Sequence, residues 1–494
     1  MANLFATKPL ETLLKESQET GEHSLRRALG PINLLTLGIG AIIGAGIFVI
    51  TGQAAAQFAG PAILYSFILA GIACAFAGLC YAEFASMIPV AGSAYTYSYA
   101  TLGELVAWII GWDLVLEYAF GAASVAVGWS GHLRAFLRDI GMALPPMPHS
   151  DFTIFGRPIH LTYDYVGFLV IWAITTILVI GIKESANFTA AIVVLKVAVV
   201  LTFIALAAGF LFRHNWEPNY WHPFIPPNTG EFGSFGISGI FRGAGVVFFA
   251  YIGFDAVSTA AQESKNPKKD MPFGILGSLI ICTVLYILVS GLLTHLVPYT
   301  QLNVPDPVVV GMRATGQQWA TFMVELGALL GLATVMLVML LGQSRVFYSM
   351  SRDGLLWPWA GAIHPRFRTP YLSSIVVGFF VAILAMLLPL NVLDQMTSVG
   401  TLLAFMLVSA GVWVMRRTHP NVARSFRTPW VPVVPILAIL FSGVLIVTLP
   451  RATQIRLVVW LIIGLVIYFS YGRKHSKVQA MQGSMPPRSP SMAD

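Results

Sequence analysis

Lys196 stands eleven residues into the apolar run SANFTAAIVVLKVAVVLTF. It is too central in that run to snorkel easily to a membrane surface. A dry site opposes its charged form, which suits a group that gains and loses a proton. The plainer alternative is a permanently charged strut bonded to neighbouring carbonyls. Asp113 and Glu117 lie four apart and share one helix face. Asp113 sits nearer the entry end of its segment, where it pairs with a loop base in the simplest reading. Glu117 sits nearer the middle, where a carboxylate either faces a guest side chain or braces another helix. Asp255, directly after Gly253-Phe254, is expected to cap freed amides, with a proton relay as the second option. Glu83, in YAEFASMIPVAGSAY, reads as an inner-gate or bracing group, and Glu325 and Arg242 as gate or packing charges.

Two glycine-rich segments set the stage for these charges. One is GIGAIIGAGIFVITG, Gly38 to Gly52, and the other RGAGVVFFAYIGFDAVST, Arg242 to Thr259. Single glycines in membrane helices commonly serve close packing. Paired clusters in two distant helices fit interrupted helices better. A helix broken in hydrocarbon exposes N–H and C=O groups, tolerable only around a cavity. Half-helix N-termini then attract an anion while freed carbonyls accept from an ammonium. A zwitterionic α-amino acid carries both groups, and is the natural guest.

The elements that must hold these residues are membrane helices. Of 494 residues, 56% are hydrophobic and 10% charged, and the mean hydropathy is +0.76. Soluble chains carry about 25% charged residues, so a soluble enzyme, a disordered chain and a disulfide scaffold are excluded. Cys74, Cys80 and Cys282 lie in apolar segments and read as small core residues. No metal-ligand spacing occurs, and no cofactor is expected. The first thirty residues have no apolar stretch of signal-peptide type. The tail from Ser476 is polar and rich in Pro and Ser, and is expected to be disordered.

A spanning helix needs roughly 20 apolar residues. Twelve such runs occur, at 32–57, 61–88, 102–132, 165–183, 185–212, 237–261, 273–297, 319–351, 373–390, 396–415, 433–450 and 455–471. With the N-terminus inside, 20 of the 29 Lys and Arg fall on the cytoplasmic side and 8 opposite, with Lys196 mid-segment. Both termini are therefore expected in the cytoplasm of a bacterial plasma membrane. The net charge of +7 belongs to those loops and does not call for nucleic acid. Aligning Gly46-Ile47-Phe48 with Gly253-Phe254-Asp255 gives an offset of 207 residues, which maps the second, fourth and fifth segments onto the seventh, ninth and tenth. Five helices are thus repeated, over 32–212 and 237–415. Because five is odd, the copies are inverted, with 1–31 preceding them and 433–471 outside the repeat. Gly-interrupted segments at matching positions point to a transporter site at the midplane.

GIGAIIGAGIF, GWDLVLEYAFGAASVAVGWSG (Gly111 to Gly131), FFAYIGFDAVSTAAQESKNPKKDMPFGI (Phe248 to Ile275) and SRDGLLWP (Ser351 to Pro358) resemble the cationic amino acid transporters. These belong to the amino acid–polyamine–organocation superfamily. The resemblance covers roughly 25–470, and twelve spans match its bacterial branch. It implies an all-α LeuT-type fold with discontinuous first and sixth helices. It also implies that Gly44, Ala45 and Gly46 hold a substrate carboxylate, and that Ile42 or Ile43, with Phe248, Ala250, Tyr251 and Ile252, meet the ammonium. Phe248 or Phe249 would cap the pocket, and Met323 and Thr321 would line its side-chain end. In sodium-coupled relatives of the fold a cation lies between the first helix and the fifth or eighth. Lys196 looks like a built-in substitute switched by protonation.

The implied activity is import of small neutral or cationic L-amino acids by alternating access, with protons and membrane lipids as partners. Proton symport, exchange and facilitated diffusion share these features, and Lys196 favours the first. A membrane enzyme would need a catalytic cluster, yet no HExxH or GxSxG occurs, and His149, His160, His214 and His222 lie in loops. A channel or sensor fits an inverted repeat less well. Oligomeric state and any small membrane partner are not legible in the sequence.

Overall fold

The computed structural model describes residues 4–10, 12–13, 29–90, 92–154, 157–180, 186–217, 219–367 and 369–484. Parts of the two terminal segments, 14–28 and 485–494, lie outside the described residues. The rest is mostly helical. Pro31 opens α1 (Pro31–Ile42), where its missing N–H is one that the helix leaves unpaired anyway. The chain breaks at Ile43 (ψ 101°) and resumes at Gly46, through π and α turns, to Ala59. Then come α2 (Ile63–Met87), α3 (Ser93–Thr101), α4 (Glu104–Val115) and α5 (Gly121–Asp139), with π-helical Leu116–Phe120 joining the last two. An antiparallel hairpin, β1 (His149–Ile154) and β2 (Arg157–Thr162), precedes α6 (Tyr165–Ile180) and α7 (Ala186–Arg213).

The second glycine-rich segment is α8 (Gly236–Val247), a 3-10 turn Phe248–Tyr251, a break at Ile252-Gly253, and the short α9 (Ala256–Thr259). Gly253 has φ +118°, a conformation that favours glycine. There follow α10 (Pro267–Leu296), α11 (Pro307–Ala314), α12 (Gln318–Arg352), α13 (Tyr371–Leu387), α14 (Leu390–Thr418), α15 (Val433–Thr448), α16 (Arg451–Ile467) and α17 (Lys477–Ser484).

Among the described residues, eight helical stretches are long and apolar enough to cross a membrane, and α6, α13 and α15 are shorter apolar helices. The apolar side chains left exposed, such as Ile280, Val284 and Leu288 on α10, form outward stripes suited to lipid. The core forms where α10 packs on α1 and α2, and α12 on α5 and α7.

Three elements fall between the runs expected from hydropathy: the hairpin, α11 and α3. The last reads SAYTYSYAT, too polar to resemble a span, yet all nine residues are buried. The expectation of disorder from Ser476 is corrected: Ser476 is buried and Lys477–Ser484 is helical. Its polar residues are engaged, since Ser476 Oγ donates to Glu104, and Gln479 Nε2 does so at 2.6 Å.

Candidate functional site

The two chain breaks meet. A Cβ on Gly46 would run into the Cα of Ala250, and one on Gly253 would lie 2.9 Å from the carbonyl of Ala41. Each break therefore carries its glycine where the other backbone passes. Gly44 faces Val335 of α12 and Gly40 faces Val193 of α7, so bare backbone is pressed against side chains from two further helices.

The carbonyls freed at the α1 break have named partners. Lys196 Nζ donates to Gly40 O at 2.8 Å and to Ile43 O at 3.3 Å. Its ammonium is buried, and its methylenes lie along α12 where Gly331 leaves room. Lys196 thus ties α7 to α1 beside α12. Tyr286 Oη, on α10, lies 2.7 Å from Ile42 O and 2.9 Å from Ala250 O. With one proton, the hydroxyl donates to one break at a time, and it touches both. Thr51 Oγ1 donates to Gly46 O at 2.9 Å, and Tyr251 Oη to Phe67 O at 2.8 Å.

The residues Ile42, Ile43, Gly44, Ala45, Gly46, Phe248, Phe249, Ala250, Tyr251 and Ile252 are all buried around this junction. Phe248 packs edge-on against Phe405 of α14 at 5.4 Å. Glu117, in the π-helical turn, is buried with Asp255 and Thr401 as its polar neighbours. Met323 is 42% exposed near the start of α12, and Val335, twelve residues on, is the α12 side chain at the junction. Asp255 turns back: its Oδ1 accepts from the Gly253 N–H and its Oδ2 from Tyr118 Oη, both at 3.3 Å, and it makes no forward cap on α9.

Glu83 lies elsewhere. It accepts two bonds from the Arg416 guanidinium and one from the Thr428 N–H, all at 2.8 Å, with Arg424 at 3.2 Å. This is a brace between α2, the end of α14 and the following loop. Glu325 pairs with Arg313 of α11 at 2.7 Å, and Arg313 also reaches Asp139 at 2.6 Å. Arg242 donates to Thr448 O at 3.2 Å. Sequence reasoning passed over Tyr286. Its signal was a lone tyrosine in the middle of an apolar run, whose hydroxyl must find a partner when buried.

Many apolar helices around a pair of interrupted ones define a multi-pass membrane permease. The amino acid permease family model matches residues 29–470, and the chain belongs to that family, within the amino acid–polyamine–organocation superfamily. It is a transporter family and not an enzyme family. The chain is 47% identical to a branched-chain amino acid permease, BcaP, of Bacillus subtilis, over 96% of this chain and 99% of the relative. It is 44% identical to the methylthioribose transporter of the same organism, with the same coverage. A vacuolar cationic amino acid transporter 4 of Arabidopsis thaliana is 40% identical over 81% of this chain and 65% of the relative.

Proposed function

We propose that the chain imports neutral L-amino acids across the plasma membrane by alternating access, coupled to protons through Lys196. The observation that carries this reading is the meeting of the two breaks, Gly46 on Ala250 and Gly253 on Ala41. Amides at Gly44, Ala45 and Gly46 would receive the carboxylate. The ammonium would compete for the carbonyls of Ile42 and Ala250 that Tyr286 now touches. Ile43, Phe248 and Val335 leave an apolar surface for the side chain.

The mechanism assumes twelve crossings with inverted copies over 32–212 and 237–415. Counting two crossings in the 57-residue stretch Pro31–Met87 and one in each of the three shorter apolar helices brings the eight long stretches to that number. In this arrangement 433–471 stands outside the repeat, and both termini face the cytoplasm. Lys196, bonded to carbonyls of α1, would release that helix on losing its proton. The same two bonds also suit a fixed strut, in which case the protein exchanges or passively equilibrates amino acids.

The guest is tested by competition against labelled alanine in proteoliposomes. Unlabelled leucine, isoleucine or valine should block uptake while arginine does not. Methylthioribose is included because a 44% identical relative carries that name. Blockage by arginine or by methylthioribose alone overturns the neutral amino acid reading.

A further inference from the structure

Ser476 and Gln479 stand three apart where α17 begins, the Ser-x-x-Gln spacing of a helix start. The Ser476 hydroxyl accepts from the Gln479 N–H at 3.2 Å and so caps the helix. Its own proton goes to a carboxylate oxygen of Glu104, 372 residues away. The Gln479 side chain donates to the other oxygen at 2.6 Å. Glu104 is fully buried, and each of its oxygens also takes one tyrosine hydroxyl, Tyr99 at 2.8 Å and Tyr468 at 2.9 Å. A buried carboxylate is costly unless it is well bonded. Two of the four donors that meet this need come from the C-terminal segment, and Val478 between them is buried as well.

The same corner of the fold holds the other end of the chain. The N–H groups of Glu104 and Leu105 donate to Ala6 O and Leu4 O, and the Lys8 N–H donates to Tyr99 O, all at 3.0 Å. Gly103, with φ +94°, lets the backbone of Phe5 pass where a Cβ would lie 2.6 Å away. The end of α12 joins in, since Asp353 O accepts from the Lys477 N–H at 3.1 Å and the Asp353 carboxylate from Lys8 Nζ at 3.1 Å. From this corner α3 runs to the second break, where Ser258 of α9 donates to Ser93 at 2.7 Å. Glu104 therefore holds one terminal segment by its backbone and the other by its side chain.

We propose that residues 476–484 are a strap that keeps this face of the protein closed, with Glu104 as its anchor. The short half-helices on this side are α1 and α9, and α9 packs against both α1 and α3. Opening this face parts them from α3, and the N-terminal segment that leads into α1 must leave Glu104 and Leu105. The strap opposes that step by fixing Glu104 between α16 and the end of α12. The orientation proposed above makes this the cytoplasmic face. The effect on uptake rests on the alternating-access reading, whereas the hold on the N-terminal segment does not.

Hydrogen–deuterium exchange of the full chain in detergent reads the amides of Glu104 and Leu105, which donate to the N-terminal segment. In the Ser476→Ala, Gln479→Met double variant they should exchange about fivefold faster, the effect of one net buried hydrogen bond. Lys474→Ala, an exposed neighbour, should exchange as the natural chain does. Initial uptake of labelled leucine into proteoliposomes should rise about two- to fivefold in the double variant. A chain ending at His475 removes the same donors without a substitution and should give both effects. Unchanged exchange in the double variant and the shortened chain overturns the strap. Faster exchange with unchanged or lower uptake overturns its role as a restraint and leaves Glu104 a structural anchor. Absence of amino acid uptake by the natural chain contradicts the transport reading alone, because the exchange measurement needs no substrate.

Discussion

Lys196 Nζ donates to the carbonyl of Gly40 at 2.8 Å, two residues before α1 ends. The bond spans 156 residues of sequence and joins the fifth apolar run to the first. A buried ammonium bonded to two backbone carbonyls does the work of an end-cap, satisfying acceptors that the helix itself leaves open. It differs from an ordinary cap in that one proton can be removed.

Tyr286 makes the second such link, and its loss should be mild for folding and larger for transport. Tyr286→Phe removes one hydroxyl shared by Ile42 O and Ala250 O. A single buried hydrogen bond contributes about 1 kcal/mol, so half-saturation for uptake should shift by about fivefold. The check is concentration-dependent uptake beside a melting curve. A large fall in Tm with unchanged half-saturation would assign Tyr286 to packing alone.

The glycines give a graded series. Gly46→Ala places a methyl against the Ala250 backbone, which cannot move aside as a side chain does. Overpacking of this kind costs roughly 1–3 kcal/mol, and here it separates the two breaks, so uptake should fall below about a tenth. Gly44→Ala meets the Val335 side chain at 2.9 Å and should lose less. Gly209→Ala on α7 meets nothing within 4 Å and should leave uptake intact. Equal effects across the three would remove the breaks from the account.

Glu83 yields a stability prediction. Arg416→Ala leaves its buried carboxylate with Arg424 and the Thr428 N–H. Breaking a buried pair costs roughly 3–5 kcal/mol, but Arg416 is partly exposed and Arg424 remains, so about 2 kcal/mol is expected. Arg417→Ala, at the neighbouring exposed position, should cost under about 0.5 kcal/mol. Melting in detergent checks both. A Tm for Arg416→Ala equal to that of Arg417→Ala would mean that the brace contributes nothing.

That the chain holds many long apolar helices was legible because hydropathy over twenty residues is an additive signal, and the buried position of Lys196 because a charge in such a run stands out. The partners of these residues were not. Nothing local to Tyr286 names Ile42 or Ala250, which lie 244 and 36 residues away. Met323 is exposed on α12, as the lipid-facing alternative for this stretch expects, while Val335 of the same helix meets Gly44. At 1.5 Å per residue it sits about 18 Å along the axis from Val335, a distance that periodicity alone does not set. α3 escaped notice because its tyrosines and serines look like loop, although Tyr95 and Ser93 bond to Asp353 and Ser258 across the fold.

The most direct test of the account is uptake of labelled leucine into proteoliposomes, with and without an inward proton gradient, for the natural chain and Lys196→Met. The account predicts accumulation that requires the gradient in the natural chain, and in the variant at most equilibration with no response to it. Gradient-driven accumulation surviving in Lys196→Met, or uptake by the natural chain indifferent to the gradient, would contradict it and leave Lys196 as a strut.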